Sequence, residues 1–154
     1  MHANRHRALA LAAILALPGL VVGTVAARAQ AVAPQAGSPQ AAPRTITVVA
    51  SEPIPNLPGK RLVSVLVEYG PGARSTAHRH ARSAFIQAYV LSGAIRSQVD
   101  DGPARVYRAG EVWYERPGAH HLVSANASAT EPARLLAVFV VDAGDEPLTI
   151  DDTP

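Results

Sequence analysis

Two histidines one residue apart, His78 and His80, stand in the stretch GARSTAHRHARSAFIQAYVLSG (72–93), and an adjacent pair, His120 and His121, follows about 40 residues later. Successive side chains of a strand point to opposite faces, so His78 and His80 share a face and Arg79 takes the other. Their Cα atoms would lie about 6.5–7 Å apart by the strand rise. At that separation two imidazoles can lean onto one metal ion, with about 2.0–2.1 Å from each nitrogen. A third ligand must come from elsewhere, and His120-His121 is the nearest source. As neighbours on a strand these two face opposite ways, so one of them reaches the same interior; alternation alone does not choose which. A lone H-x-H pair is weak evidence, and an adjacent pair after Pro117-Gly118 suits a solvated loop, but both motifs together favour one shared metal.

The elements that must position these residues begin after an N-terminal segment of a different kind. Residues 1–29 carry Arg5 and Arg7, an apolar run over 8–27, and the A-x-A site Ala27-Arg28-Ala29. This is the layout of a secretory signal peptide cleaved after Ala29. It predicts a periplasmic or secreted protein with no stable membrane anchor after cleavage. Arg5 and Arg7 are not adjacent, so export unfolded, with metal acquired outside the cytoplasm, is expected. The chain has no cysteine, which excludes a disulfide framework and lipid attachment through a thiol.

Cleavage changes the charge and histidine counts. The whole chain has 14 basic and 12 acidic residues. Without Arg5, Arg7 and Arg28 the remainder has 11 against 12, a net charge of −1. No basic run remains to follow a phosphate backbone, so no nucleic-acid partner is expected. His2 and His6 leave with the signal, and the four remaining histidines all belong to the two motifs.

Residues 30–44 are rich in Ala, Pro and Gln, lack apolar periodicity and read as a disordered linker. A single domain over 45–150 follows. Strands are predicted at 45–50, 61–69, 84–91, 94–99, 104–109, 111–115, 120–125 and 134–141, with 61–69 apolar on both faces. Asp101-Gly102 marks a hairpin. The run at 134–141 suits a helix by composition, but Val138, Phe139, Val140 and Val141 favour a strand. Turn signals every 8–12 residues and no convincing 3.6-residue period predict an all-β sandwich or barrel.

These motifs resemble the cupin superfamily, whose first motif is G(X)5HXH(X)3,4E(X)6G and whose second is G(X)5PXG(X)2H(X)3N. Gly72, His78, His80 and the tail YVLSG ending at Gly93 follow the first; Gly110, Gly118 and His121 keep the register of the second. The likeness covers roughly 60–142. It implies a jelly-roll β-barrel, selects His121 over His120 as the inward ligand, and implies pairing of two copies through outer strands. The motif's glutamate falls at Ala84 or Phe85 counted from His80, or at Ile86 counted back from Gly93. None of these can ligate, and Gln87 is the nearest side chain with a ligating oxygen, provided that a bulge re-aims it. Arg116 stands at the motif's proline, and Ala125, followed by Asn126, at its asparagine.

The implied ligand set is therefore His78, His80 and His121, with Gln87 or water completing the shell of one divalent transition metal ion, Fe, Mn, Ni, Cu or Zn. Three histidines with open positions form a catalytic rather than a closed structural pattern. The resemblance implies a metal-dependent enzyme acting on a small molecule, dioxygenase-type oxidoreductase first and isomerase second. No catalytic residue beyond the ligands is assigned. The absent glutamate leaves a non-catalytic periplasmic module binding a metal or small ligand as the alternative. Trp113, Tyr114, Phe85 and Tyr89 either wall a pocket or fill the core, and Arg96 either reaches into the barrel to meet an anion or lies on a solvated face.

Overall fold

The computed structural model of the protein describes residues 43–153. The export signal read at 1–29, and all but the last two residues of the linker read at 30–44, lie outside the described residues. Arg44 already opens the first strand.

Ten strands follow in chain order: β1 (Arg44–Pro53), β2 (Lys60–Tyr69), β3 (His78–His80), β4 (Phe85–Ser92), β5 (Ala94–Val99), β6 (Arg105–Arg108), β7 (Val112–Glu115), β8 (His120–Asn126), β9 (Ala133–Asp142) and β10 (Thr149–Asp151). There is no helix among the described residues. The strands form two five-stranded sheets, ordered β1-β2-β9-β4-β7 and β10-β3-β8-β5-β6. Every pairing is antiparallel. The fold is an all-β jelly roll.

The period-two pattern decides what each strand buries. Along β9, Ala133, Leu135, Ala137, Phe139 and Val141 are buried while the residues between them face out. A helix over this run would have put those five on different sides. Along β4, Ile86, Ala88 and Val90 are buried and Phe85, Gln87, Tyr89 and Leu91 are exposed. β2, read as apolar on both faces, buries only Val63, Val65 and Tyr69 fully; Leu62 on its other face is exposed. The inward faces of the two sheets meet in one core that includes Ile86, Val90, Ile95, Trp113 and Phe139.

Two glycines set the crossings that matter for the site. Gly93 lies between β4 and β5, where the chain passes from one sheet to the other. Its φ is +70°, and a Cβ there would come within 2.6 Å of the Pro132 carbonyl oxygen. Gly118, with φ +72°, closes the Arg116-Pro117-Gly118 turn that leads from β7 into β8. Such backbone angles suit glycine because it has no Cβ. β3 and β10 are only three residues long. β10 was not among the strands read from the sequence, because a short edge strand with a single neighbour has too few positions for a pattern.

Candidate metal centre

β3 is flanked by β8 on one side and β10 on the other. In the β3–β8 ladder His78 lies opposite His121, and Arg79 opposite His120. Directly opposite residues in an antiparallel pair share a face. His78, His80 and His121 therefore all point into the barrel and are buried, while Arg79 is exposed. The ring centroids are 4.8 Å apart for His78–His80, 5.1 Å for His78–His121 and 6.0 Å for His80–His121. One ring nitrogen from each lies within 4.8 Å of the others, a spacing that suits a shared ion.

Each ring is held by its other nitrogen. His78 Nδ1 donates to the Thr76 carbonyl oxygen at 2.7 Å, leaving Nε2 as a free lone pair. His80 Nδ1 faces the Leu148 carbonyl oxygen at 3.4 Å, and its Nε2 turns toward Glu115. His121 Nε2 meets Ser97 Oγ at 2.9 Å. Fixing ring and tautomer through the second nitrogen is how metal-binding histidines are oriented. Burial pushes the His78 ring below its ordinary pKa and takes His121 down to about 4, against the opposing pull of Glu115 on both. Near neutral pH these two rings are neutral, the form that ligates.

A fourth buried side chain faces the imidazoles from the other sheet. Glu115 at the end of β7 is 2% exposed. Its Oε1 accepts the Trp113 indole N–H at 3.0 Å. Oε2 is 2.9 Å from His80 Nε2, and Oε1 is 3.4 Å from His121 Nδ1. Burial pushes the Glu115 carboxyl up, but the His80 ring, the charge interaction with His121 and the Trp113 indole outweigh it, and the group stays below the usual carboxylate value. The His80 ring and the Glu115 carboxylate thus form a close buried pair, joined by a hydrogen bond when the imidazole proton sits on Nε2 and open to a shared cation when it sits on Nδ1. Three imidazole nitrogens within 4.8 Å of one another, with a buried carboxylate beside them, fit a divalent metal ion.

Gln87 is not part of this cluster. It lies on the exposed outer face of β4, and the only irregularity in the β4–β9 ladder comes later, between Val90 and Ser92. No bulge turns its amide inward. The sequence reading of the ligating oxygen passed over Glu115. The available signal was the alternation of VWYE: an inward Trp113 requires an inward Glu115.

The imidazoles open onto a cavity of about 330 Å³, walled by Val65, Ile86, Leu135, Phe139 and Trp113. Tyr69, whose hydroxyl meets Ser75 Oγ at 2.6 Å and Ser124 Oγ at 2.8 Å, adds a polar patch to the wall. Asp151 on β10, paired in register with His78, also lines it. Of the four aromatic residues considered as pocket walls, Trp113 is one; Phe85, Tyr89 and Tyr114 are exposed on the outer face, where Phe85 and Tyr114 stack with centroids 5.9 Å apart. Arg96 is exposed on β5 and faces away from the barrel.

Two antiparallel sheets enclosing a cavity, with three inward imidazoles on one sheet, define a jelly-roll barrel whose interior could hold a metal ion. Residues 65–139 match the cupin domain family, and the chain belongs to the cupin superfamily. It is 29% identical over 78 residues to the cupin-domain-containing oxidoreductase fogC of Aspergillus ruber, a match covering 51% of this chain and 37% of that protein. It is 30% identical over 86 residues to the cupin-domain-containing oxidoreductase srdD of Neurospora crassa, covering 53% of this chain and 43% of that one. Each match spans less than half the length of the curated relative. Among solved structures, an uncharacterized protein with a double-stranded β-helix domain from Klebsiella pneumoniae subsp. pneumoniae is similar with a TM-score of 0.57 at 20% identity, covering 76% of this chain and 90% of that one. That likeness is one of fold.

Proposed function

We propose that the protein is an exported, mononuclear-metal cupin oxidoreductase acting on a small molecule with a largely apolar body. The observation that carries this reading is the buried cluster of His78, His80 and His121 at the wall of an apolar cavity. The description of both curated relatives as cupin-domain-containing oxidoreductases supports the reaction class. The composition of residues 1–29 supports export to the periplasm or beyond.

In this reading the three histidines hold one first-row divalent ion, which supplies Lewis-acid or redox chemistry when bound. Ser97 and the Thr76 and Leu148 carbonyl groups keep the rings turned toward it. Val65, Leu135 and Phe139 exclude water and seat the apolar body of the substrate. The hydroxyl patch of Tyr69, Ser75 and Ser124 can accept from or donate to one polar group of that substrate. Asp151 borders both the cavity and solvent and is placed to exchange a proton with a bound molecule. The apolar outer face bearing Phe85, Tyr89, Leu91, Val112 and Tyr114 supports pairing of two copies through this sheet.

The test combines metal analysis with oxygen consumption. Protein exported by its host is expected to carry one metal per chain, and a His78→Ala/His80→Ala variant none. Equal sub-stoichiometric metal in both would sink the reading. With metal bound, oxygen uptake with a member of a panel of phenols, diketones and thiols supports an oxidoreductase. No uptake, with tight retention of a panel member, would instead make it the non-catalytic binding module.

A further inference from the structure

We infer that Glu115 is the fourth metal ligand, delivering from β7 the carboxylate that the cupin motif delivers from the neighbouring strand. This rests on the reading of the three histidines as metal ligands.

Counted back from Gly93, the motif's glutamate position is Ile86. Ile86 is buried on the inward face of β4 and lines the cavity, so the position faces the site but carries an aliphatic chain. Its direct ladder partner on β7 is Glu115. Side chains directly opposite in an antiparallel pair have Cβ atoms about 4.5–5.5 Å apart on the same face. A carboxylate can therefore cross from one strand to the next without leaving the site. The pair Ile86/Glu115 keeps one apolar and one acidic group at this level of the barrel, with their strands exchanged.

The local contacts aim the carboxylate at the imidazoles. The Trp113 indole holds Oε1, which orients the carboxylate and leaves Oε2 turned to His80 Nε2. Oε2 and Nε2 are both buried and 2.9 Å apart, a separation that two atoms in neighbouring coordination positions of one ion take when each is about 2.0–2.1 Å from it. An ion bound there would displace the proton that the two atoms otherwise share.

The experiment titrates metal-free protein with Co(II), reading its visible absorption and its affinity by competition with a chelator. Glu115→Gln removes the charge and keeps the shape. It is expected to lose at least about tenfold in Co(II) affinity, since even partners behind a ligand are worth about 10–100-fold, and to change the absorption bands. The exchange variant Ile86→Glu/Glu115→Ile is expected to regain affinity, and Gln87→Ala to behave as the wild type. Wild-type affinity and spectrum in Glu115→Gln would overturn the assignment while leaving the three-histidine site standing. Failure of the wild type itself to bind Co(II) above the level of His78→Ala/His80→Ala would overturn both. A crystal structure of the wild type loaded with Zn(II) decides the matter without any variant. An ion about 2.0–2.2 Å from Glu115 Oε2 supports the proposal, and an ion on three imidazoles with the carboxylate out of coordinating distance refutes it.

Discussion

The two faces of strands β3 and β8 carry similar residues put to different ends. Inside lie His78, His80 and His121, facing Glu115. Outside lie Arg79 and His120, with Asp100 and Asp152 beside them. On the outer face His120 is paired at its backbone N–H and at both ring nitrogens. The His120 backbone N–H donates to Asp100 Oδ1 at 2.9 Å, its Nε2 donates to Asp152 Oδ2 at 2.7 Å, and its Nδ1 accepts from Arg79 at 3.3 Å. On the inner face three imidazoles converge within 4.8 Å beside one buried carboxylate, at the wall of a cavity. Histidine and carboxylate together therefore say little by themselves. Convergence and burial are what distinguish the inner cluster from a surface network.

The widest separation between the two faces should appear on removing their histidines. His78→Ala or His80→Ala is expected to abolish stoichiometric metal, measured by elemental analysis, whereas His120→Ala keeps it. Loss of metal in all three would mean that the outer network is part of the centre.

Acid should distinguish the faces next. The pKa of His121 is lowered to about 4 and that of His78 is also lowered, chiefly by burial. Below the ordinary value of 6.5 the unfolded chain takes up protons that the native inner rings refuse, so stability falls as pH drops from 6.5 toward 4. Glu115, held below its ordinary value of 4.5, contributes stability that is present above that pH and lost as pH falls through its native value. All three act in the same direction. Thermal melting of metal-free protein should show a Tm that declines between pH 6.5 and 4, and a flat profile would contradict the burial argument. His78→Ala/His121→Ala should reduce the slope, and His120→Ala should not.

A smaller effect is expected from the support of one ligand. Ser97→Ala removes the partner of His121 Nε2 and should weaken metal binding by about tenfold, read by chelator competition, with no loss of stoichiometry. The smallest belongs to the outer network: Asp152→Ala breaks a part-exposed pair and should cost no more than about 1 kcal/mol in denaturant unfolding, with metal content unchanged.

The ease with which each part could be read follows from the range of the interactions that place it. His78 and His80 needed only strand alternation, and His121 needed the spacing from Gly118. The strand character of 134–141 followed from β-branched residues, and the hairpin at Asp101-Gly102 from turn chemistry; both are local. Gln87 failed because it was the nearest oxygen along the chain, and the unbroken alternation of β4 turns it outward. Glu115 depends on the register between β4 and β7, which joins residues almost thirty positions apart. β10 depends on an edge pairing with β3 across a still longer interval. Neither register is written in any short stretch of sequence.

The pairing of β10 with β3 has a further consequence for inheritance. All the side chains of the inner cluster lie within the segment that matches the family, 65–139. The Leu148 carbonyl that turns the His80 ring, and the strand that flanks both His78 and His80, lie beyond it. A gene fusion or duplication that copied only the matching segment would carry every side chain of the cluster and leave behind part of the frame that aims them. The segment that marks the family is smaller than the unit that must be transmitted to keep the cluster in place.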